Sequence, residues 1–432
     1  MSKFQPFIAL PLVLGLSACL GSGSSGGGAG GGGAGGGGAA LGPTTPALSA
    51  SGSGTVAMRG LSSRFEKNAQ VGGLPGGTTI YEQGNGGAFG FGGYNSFANH
   101  GATQSGAGVQ ATAAFANAGT AGATLNLLTA GTYVGGAAIS DFNGSSATVG
   151  GAGRGQGVNQ RYDQTPSGGA ISPISSAAVA LEDVDTDGAF DLALIDVQVE
   201  QTNPVGQFEE IGIYYGGTFA DQAAVDALRA ANPAGLTFSR VAGTTPDDAA
   251  LFSVSTLNGR ASTTGEIYQG DIFVLVNFNL NSVTAEIDNV READAGVGAA
   301  IQPFKFEIAD AALSGTTITG GMIQVRSANT NSGLNMDTIT TGAMDAAFMG
   351  ANGDFVTGVF QGVGTTGTSA DSIGTTLGVA PGTPIFINGR FTTDCNPAPR
   401  ERAPASRRGP FHSGAVRAVQ PSAASSRSRK AS

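Results

Sequence analysis

The run DIFVLVNFNLNSVTAEIDNV, residues 271–290, carries the clearest fold signal in the chain. Successive side chains of a strand point to opposite sides, so the first half places one apolar set on a single face. That set is Ile272, Val274, Val276, Phe278 and Leu280. The second half opposes Val283, Ala285 and Ile287 to Thr284, Glu286 and Asp288. Turn-forming residues from Asn279 to Ser282 separate the halves, and the run therefore predicts an antiparallel hairpin.

The same alternation recurs along the rest of the chain. It appears in FKFEI (304–308), TTITGGMIQV (316–325), MDAAFMGANGDFVTGVFQG (344–362) and IFINGRF (385–391). The third of these predicts a second hairpin, which turns about Asn352 and Gly353. No helical pattern interrupts the strands after residue 251. Residues 251–393 therefore favour an antiparallel barrel or sandwich.

Residues 56–250 predict a β-rich region with one short helix. Gly-rich sequence before residue 170 indicates short strands and wide loops, and clearer strands follow at AAVALEDV (177–184), DLALIDVQVE (191–200) and EEIGIYYGG (209–217). The helix is DQAAVDALRAA (221–231), which has an apolar stripe and is followed by a terminating Pro233. Tyr214 and Tyr215 fall on opposite faces of a strand. One ring is expected in the core and the other at the surface, where it would be a candidate binding hot spot.

Residues 1–19 have the form of a secretory signal. The apolar run FIALPLVLGL (7–16) is too short to span a bilayer as a mature helix. It leads into LSAC (16–19), which resembles a bacterial lipobox, in which Cys19 would be lipidated and become the new N-terminus. Leu20 rather than Asp follows, which for this class resembles sorting to the outer membrane. We therefore expect a lipid-anchored, surface-exposed protein of the outer membrane of a diderm bacterium.

Both flanks of the expected folded body have compositions that favour disorder. Residues 20–55 are a Gly-rich tether, which would span roughly 30–35 Å root-mean-square. Residues 394–432 form a Pro-, Ser- and Ala-rich tail. Its basic residues are Arg400, Arg402, Arg407, Arg408, Arg417, Arg427, Arg429 and Lys430. We interpret the tail either as a ligand for anionic lipid or lipopolysaccharide, or as an extension without function.

The composition argues against an enzyme. Only 12% of the residues are charged, two are His and none is Trp, which leaves little material for acid–base catalysis or a His-built metal site. Serine is plentiful, but no nucleophile elbow and no His placed as a base accompany it. Lipidation of Cys19 would leave Cys395 without a disulfide partner. We expect no enzymatic activity and no nucleic-acid partner.

The acidic run DVDTDGAFD (183–191) is a candidate calcium loop. Its ligands would be Asp183, Asp185, Asp187 and Asp191, with Gly188 at the bend, as at positions 1, 3, 5, 9 and 6 of an EF-hand loop. Leu194 replaces the bidentate Glu, and strands flank the loop, so it is not an EF-hand. The pattern resembles the calcium loop of FG-GAP-type repeats. Four close carboxylates repel without a cation, which favours structural calcium, while the alternative is an acidic turn between two strands.

The hairpin at 344–362 also carries a resemblance to a family. In the C-terminal barrel lobe of the transferrin-binding protein B family, an aromatic residue, a Gly-Pro turn, a Glu, a Gly-Gly pair and a final Phe occur at similar spacing. The matching residues are Phe348, Gly350, Gly358 and Phe360, whereas Ala351, Phe355 and Thr357 depart from the pattern. The hairpin VNFNLNSVTAEIDNV (276–290), the lipobox and the tether are similar to that family's layout. The resemblance implies a C-terminal antiparallel β-barrel of about eight strands in a surface lipoprotein.

Two functional hypotheses follow. The resemblance implies a non-enzymatic outer-membrane lipoprotein whose barrel binds an extracellular protein or an iron or haem carrier. An outer-membrane receptor is a further partner in this hypothesis. The alternative is a structural or adhesive surface protein that uses calcium at the acidic loop to stiffen a β-rich body.

Overall fold

The computed structural model describes residues 52–67, 109–131, 138–152, 157–164, 175–183, 190–203, 206–242, 249–256, 264–293, 299–330, 333–393 and 398–399. Most of these residues lie in antiparallel strands, which form two closed eight-stranded barrels. The predicted fold class is therefore confirmed: the protein is mainly β, with a C-terminal barrel preceded by a β-rich region. The β-rich region differs from the expectation of short strands and wide loops, because it closes into a barrel of its own.

Barrel 1 comprises the first nine strands. They are β1 (Gly54–Lys67), β2 (Val109–Ala116), β3 (Thr124–Ala130), β4 (Phe142–Ser145), β5 (Gly151–Ala152), β6 (Val158–Gln164), β7 (Ser175–Glu182), β8 (Leu192–Asn203) and β9 (Gly206–Gly217). The strands pair in the order β4-β3-β2-β1-β9-β8-β7-β6. The barrel closes where Gly144 and Ser145 of β4 pair with Gln164 and Asp163 of β6. Strand β5 is a short addition that pairs with β6.

Barrel 2 comprises the remaining strands. They are β10 (Leu236–Arg240), β11 (Ala250–Thr256), β12 (Thr264–Asn277), β13 (Ser282–Glu292), β14 (Phe304–Ser314), β15 (Thr317–Ser327), β16 (Asn335–Met349), β17 (Phe355–Thr365), β18 (Pro384–Thr392) and β19 (Ala398–Pro399). The order around the barrel is β11-β18-β17-β16-β15-β14-β13-β12, and β11 closes it on β12. Strands β10 and β11 pair with successive parts of β12, so together they fill one strand position. Strand β19 pairs with the start of β10.

The hairpin predicted at 271–290 is β12 and β13. Asn277 pairs with Ser282 across the turn, and the Asn277 side chain accepts the backbone N–H groups of Asn279 and Leu280. Because β12 ends at Asn277, Leu280 lies in the turn and is 73% exposed. The expectation that Leu280 faces the core was therefore wrong, while the other apolar residues of that face are buried.

Aromatic side chains fill the interior of barrel 2. The Phe252 ring stacks on Tyr268 with centroids 5.6 Å apart and meets Phe306 edge-on at 4.9 Å. Opposite them, a Cβ atom on Gly389 would lie 2.4 Å from the Phe360 ring and 2.5 Å from Phe252 Cβ. The interior is therefore a packed core, in which a missing side chain makes room for large rings.

Barrel 1 is also filled, with fewer aromatic residues. Tyr214 points inward and is 1% exposed. Its ring folds over Gly212, where a Cβ atom would lie 2.6 Å from the ring. Phe115 and Tyr162 meet edge-on at a centroid distance of 6.5 Å on the other side of this interior. The cores of the two barrels are separate clusters of buried residues.

The predicted helix is α1 (Gln222–Ala231). It begins at the Asp221 cap, whose carboxylate accepts the Ala224 N–H at 2.7 Å. Val225 is fully buried in the core of barrel 2, and the Arg229 guanidinium lies 5.7 Å from the centre of the Phe278 ring. Helix α1 therefore covers one end of barrel 2.

A second helix, α2 (Ile373–Leu377), lies between β17 and β18, where no helix was expected. Buried Asp337 of β16 holds its start, accepting hydrogen bonds from the N–H groups of Gly367 and Ile373 and the hydroxyl of Ser372 at 2.7–2.9 Å. Five residues are too few to show the periodic apolar pattern of a longer helix. The stability of α2 therefore comes from this anchor and from buried Ile373.

We expect four tyrosines to resist ionisation while the fold is intact. Burial raises the pKa of the phenols of Tyr162, Tyr214, Tyr215 and Tyr268, and for Tyr162 the value is about 12. Their ordinary pKa is 10.0, so their contribution to stability is complete below that pH and is lost as the pH rises further. A spectrophotometric titration with circular dichroism should show at most three of the seven tyrosines ionising before unfolding. Reversible ionisation of all seven in a folded protein would contradict this.

Candidate functional site

The two barrels share a buried wall made from their outer faces. An apolar cluster lies between them and includes residues from β1, β7, β8, β9, β16 and β17. Its members are Leu61, Ala180, Leu192, Leu194, Ile213, Tyr215, Phe219, Ala343, Ala347, Met349, Phe355 and Val359. Strand β17 is buried on both faces, one in the core of barrel 2 and one in this wall. Apolar burial on this scale fixes the two barrels against each other.

A buried ion pair crosses the wall. The Arg59 guanidinium of β1 donates to both carboxylate oxygens of Asp345 on β16, at 3.1 and 2.8 Å. The Tyr215 hydroxyl donates to the same carboxylate at 2.6 Å. The Arg59 and Asp345 side chains are 8% and 0% exposed. Burial raises the pKa of Asp345, and Arg59 and the hydrogen bonds offset only part of that effect. The charges are tolerated here because each has a partner.

A second polar contact lies further along the same wall. The Gln361 side chain of β17 accepts the Ser63 hydroxyl at 2.9 Å and donates to the Ile211 carbonyl and to Asn388, both at 3.0 Å. On the neighbouring strand pair, Arg390 lies 3.6 Å from Asp196. These contacts set the register of one barrel against the other.

Because the two barrels are held in one register, the ends of their strands lie on two opposite sides of the molecule. At one side the segment after β9 meets the end of β16, because Phe219 pairs with Met349 and the Gly350 N–H donates to the Thr218 carbonyl. We call this the turn side, because it carries the start of β1 and the turns at 278–281, 315–316 and 350–354. The opposite side, the loop side, carries the end of β1, α2 and the described parts of the connections after β13 and β15.

Only part of the candidate calcium loop is described. Asp183 is 2% exposed and Asp191 is half-buried, whereas Asp185 and Asp187 lie outside the described residues. The strands on either side are β7 and β8, as expected, and the Asp191 N–H donates to the Glu182 carbonyl at 2.8 Å. Among the residues with described positions, no group of three or more His, Cys, Asp or Glu is placed to hold a metal ion. Calcium binding stays a prediction.

The residues that carry the family resemblance lie together in the β16–β17 hairpin. Phe348 and Phe360 are fully buried in the core of barrel 2. Gly350 begins the turn with a φ of +78°, and a Cβ atom on Gly358 would lie 2.4 Å from that of Ala346. All four therefore serve packing and turn geometry, and none presents a side chain to a ligand.

The tyrosine expectation was half right. Tyr214 lies in the core of barrel 1 and Tyr215 points to the opposite face, as predicted. That face is covered by barrel 2, so Tyr215 is 0% exposed and is not a surface hot spot. Cys19 lies outside the described residues. Among the helices that the structure describes, none is both long and apolar enough to cross a membrane.

The sequence interpretation missed Arg59 and Asp345. Each is a charged residue within an otherwise small or apolar strand, TVAMRGLSS (55–63) and MDAAFM (344–349). That setting is a usable signal, because an isolated charge in a buried strand needs a partner. The partner itself lies 286 positions away, and nothing in the local sequence identifies it.

Comparisons with known proteins give no family for the chain. No family model and no curated protein matches it. Similar solved structures include a double mutant of the vaccine antigen transferrin binding protein B from Haemophilus parasuis Hp5, with 8% identity, coverage of 82% of this chain and 76% of that chain, and a TM-score of 0.27. A single mutant of that antigen has 9% identity, coverage of 82% of this chain and 79% of that chain, and a TM-score of 0.24. A protein of unknown function from the DUF3598 family, from Nostoc punctiforme, has 7% identity, coverage of 78% of this chain and 95% of that chain, and a TM-score of 0.20.

Likeness at these TM-scores carries no argument about function. Membership in the transferrin-binding protein B family therefore remains a prediction from the residues of the 344–362 hairpin.

The buried ion pair generates a stability prediction. The Asp345→Ala variant should lose about 3–5 kcal/mol of unfolding free energy in a urea melt, because Arg59 would remain buried without its partner. The matched control is Glu286→Ala, which removes a half-exposed ion pair with Lys305 and should cost at most about 1 kcal/mol. Replacing both partners, as Arg59→Met with Asp345→Leu, should cost less than Asp345→Ala. Equal effects of Asp345→Ala and the control would contradict the role assigned to the pair.

Proposed function

We propose that the protein is a non-enzymatic surface lipoprotein that binds an extracellular protein, such as an iron or haem carrier, through its loop side. The observation that carries this proposal is that side chains fill both barrels. Phe252, Tyr268, Phe306 and Phe360 pack against one another inside barrel 2, and Tyr214 and its neighbours fill barrel 1. A ligand therefore binds at the ends or on the outer surfaces of the barrels and not within their cores.

The shared wall supports the same conclusion. It removes the outer faces of β8, β9, β16 and β17 from solvent, and α1 covers the turn side of barrel 2. The loop side is a surface to which the described strand ends of both barrels contribute. Connections presented by a rigid scaffold are the usual place for ligand contacts. Because Arg59 and Asp345 hold the barrels in one register, a single partner can contact both at once.

The sequence supplies the argument for display at the cell surface. A lipid on Cys19 and the Gly-rich tether at 20–55 would hold the barrels away from the membrane while allowing them to reorient. An outer-membrane receptor near the anchor would then receive the captured carrier. Two signals test the anchor: incorporation of an alkyne fatty acid, which Cys19→Ala should abolish, and digestion by protease added to intact cells.

Ligand binding is tested with the protein lacking residues 1–19. We expect it to bind immobilised iron-loaded transferrin or haemoglobin in biolayer interferometry. The Asp345→Ala variant is the comparison, because weakening the wall should reduce affinity for a partner that touches both barrels. Tight association with peptidoglycan and no retention of any extracellular protein would overturn the proposal.

A calcium-stiffened structural or adhesive protein is the second candidate. The observation that favours it is the burial of adjacent acidic residues at the base of the loop, where Glu182 and Asp183 are 1% and 2% exposed. A buried carboxylate needs hydrogen bonds or positive charge around it, and a calcium ion bound by the loop would add to these.

We expect calcium to raise the melting temperature by several degrees relative to chelator if this candidate is right. The double variant Asp183→Asn/Asp187→Asn should remove that shift, and magnesium serves as the control cation. An unchanged melting temperature in calcium would remove the candidate.

A further inference from the structure

Helix α2 covers part of the loop-side opening of barrel 2. Ile373 enters the core there, and Asp337 and Asp371 tie the helix segment to β16 and to Ser327 of β15. Within the described part of the chain, the end of β11, the start of β12 and the end of β13 also lie on this rim. This part of the rim differs from the interior below it because polar side chains line it.

Four inward-facing residues, which we call the rim cluster, meet there: Thr256, Glu266, Tyr268 and Glu292. Glu292 lies directly opposite Tyr268 across the β12–β13 pair. Glu266 precedes Tyr268 by two residues on the same strand, so both side chains point inward. Thr256 follows buried Phe252 and Val254 on the same face of β11. Strand pairing therefore places two carboxylates and two hydroxyls at one opening.

Two hydroxyls of the rim cluster are buried without a hydrogen-bond partner among the residues that the structure describes. Tyr268 and Thr256 are both 0% exposed, and neither hydroxyl oxygen has a partner. Such a group loses its bonds to water on folding and gains none in return, which destabilises the fold. Unsatisfied buried hydroxyls are rare in stable cores, and here they lie beside the half-buried carboxylates of Glu266 and Glu292.

We propose that the rim cluster binds the cationic end of a Lys or Arg side chain presented by the extracellular protein partner. This inference rests on the proposed function and names the feature of the partner that the loop side recognises. The ammonium or guanidinium group pairs with Glu266 and Glu292. The Tyr268 and Thr256 hydroxyl oxygens accept hydrogen bonds from the same cationic group.

The surroundings favour an organic cation over a metal ion. A hard cation such as calcium takes six to eight oxygen ligands, and no group of three or more His, Cys, Asp or Glu suited to a metal occurs in the described part of the chain. Aromatic rings form the inner wall, since Tyr268 meets Phe304 edge-on at 5.5 Å and stacks on Phe252. Two carboxylates for charge pairing, with aromatic rings below them, suit the cationic end of a basic side chain.

Fluorine NMR of the protein labelled with fluorotyrosine tests the proposal directly. The probes are the peptides acetyl-Gly-Lys-Gly-amide and acetyl-Gly-Arg-Gly-amide, with acetyl-Gly-norleucine-Gly-amide as the neutral control and calcium chloride as the metal control. The Tyr268→Phe variant assigns the Tyr268 resonance. We expect the basic peptides to shift that resonance saturably and the neutral peptide to leave it unchanged. No shift with either basic peptide, or a shift with calcium alone, would overturn the proposal.

Matched variants separate binding from folding. The Glu266→Gln/Glu292→Gln protein should bind the basic peptides at least about tenfold more weakly, because charge-assisted pairing is lost. Glu286→Gln, on the outer face of β13, should bind as the wild type does. Tyr268→Phe should keep or raise the melting temperature, because its hydroxyl has no partner to lose. A lower melting temperature would mean that the hydroxyl serves the fold, and would count against the proposal.

The outcomes for this inference and for the proposed function are distinguishable. Capture of transferrin or haemoglobin that survives the Glu266→Gln/Glu292→Gln change would leave the proposed function standing and overturn the rim cluster as its contact. Binding of basic peptides without capture of any extracellular protein would support the rim cluster's chemistry and count against the proposed function.

Discussion

The contact between Arg59 and Asp345 is the constraint on which the arrangement of the molecule depends. A guanidinium and a carboxylate that leave water together are tolerable only when they are paired and hydrogen-bonded. Here the pair lies within an apolar wall, and the Tyr215 hydroxyl supplies a further donor. The pair therefore permits one register between the barrels and penalises others, which would leave a charge buried alone. Every statement about a composite loop side follows from that register.

The same wall explains an unusual feature of the sequence. An antiparallel strand with one face in water alternates apolar and polar residues, but β17 reads FVTGVFQGVGT because both of its faces are buried. Inside the barrels, large aromatic rings restrict which residues can stand beside them. Phe360 occupies the volume that a side chain on Gly389 would need, and Tyr214 does the same over Gly212. Within these strands, part of the glycine content therefore reflects the packing of large rings.

These two effects decide how much the sequence could predict. The hairpin of β12 and β13 was predictable because its outer face meets solvent and keeps strict alternation, and α1 was predictable from its Asp221 cap and its stripe. The closure of barrel 1 was not, because β4 is short and β1 has a buried outer face with mixed residues. Leu280 was misplaced because alternation does not show where a strand ends. Helix α2 depends on Asp337, which is distant in sequence.

The candidate site was harder to predict than the fold. The resemblance at Phe348, Gly350, Gly358 and Phe360 found residues that pack the core, which locate a hairpin and identify no ligand contact. The acidic loop was visible because its carboxylates are contiguous in sequence. Glu292 and Tyr268, in contrast, meet only through strand pairing, as do Arg59 and Asp345. The spacing of residues within one segment of sequence does not reveal such pairs.

The position of β1 has a mechanical consequence. Strand β1 begins at Gly54 on the turn side, where its first half pairs with β2, and from Met58 to Lys67 it pairs with β9. A pulling force that enters at Gly54 and leaves through a ligand on the loop side acts along the strand axis. It loads the hydrogen bonds of both edges in shear, all at once, instead of opening them one after another as in a zipper. The pairing of β1 is therefore arranged to resist extraction of the strand along its own axis.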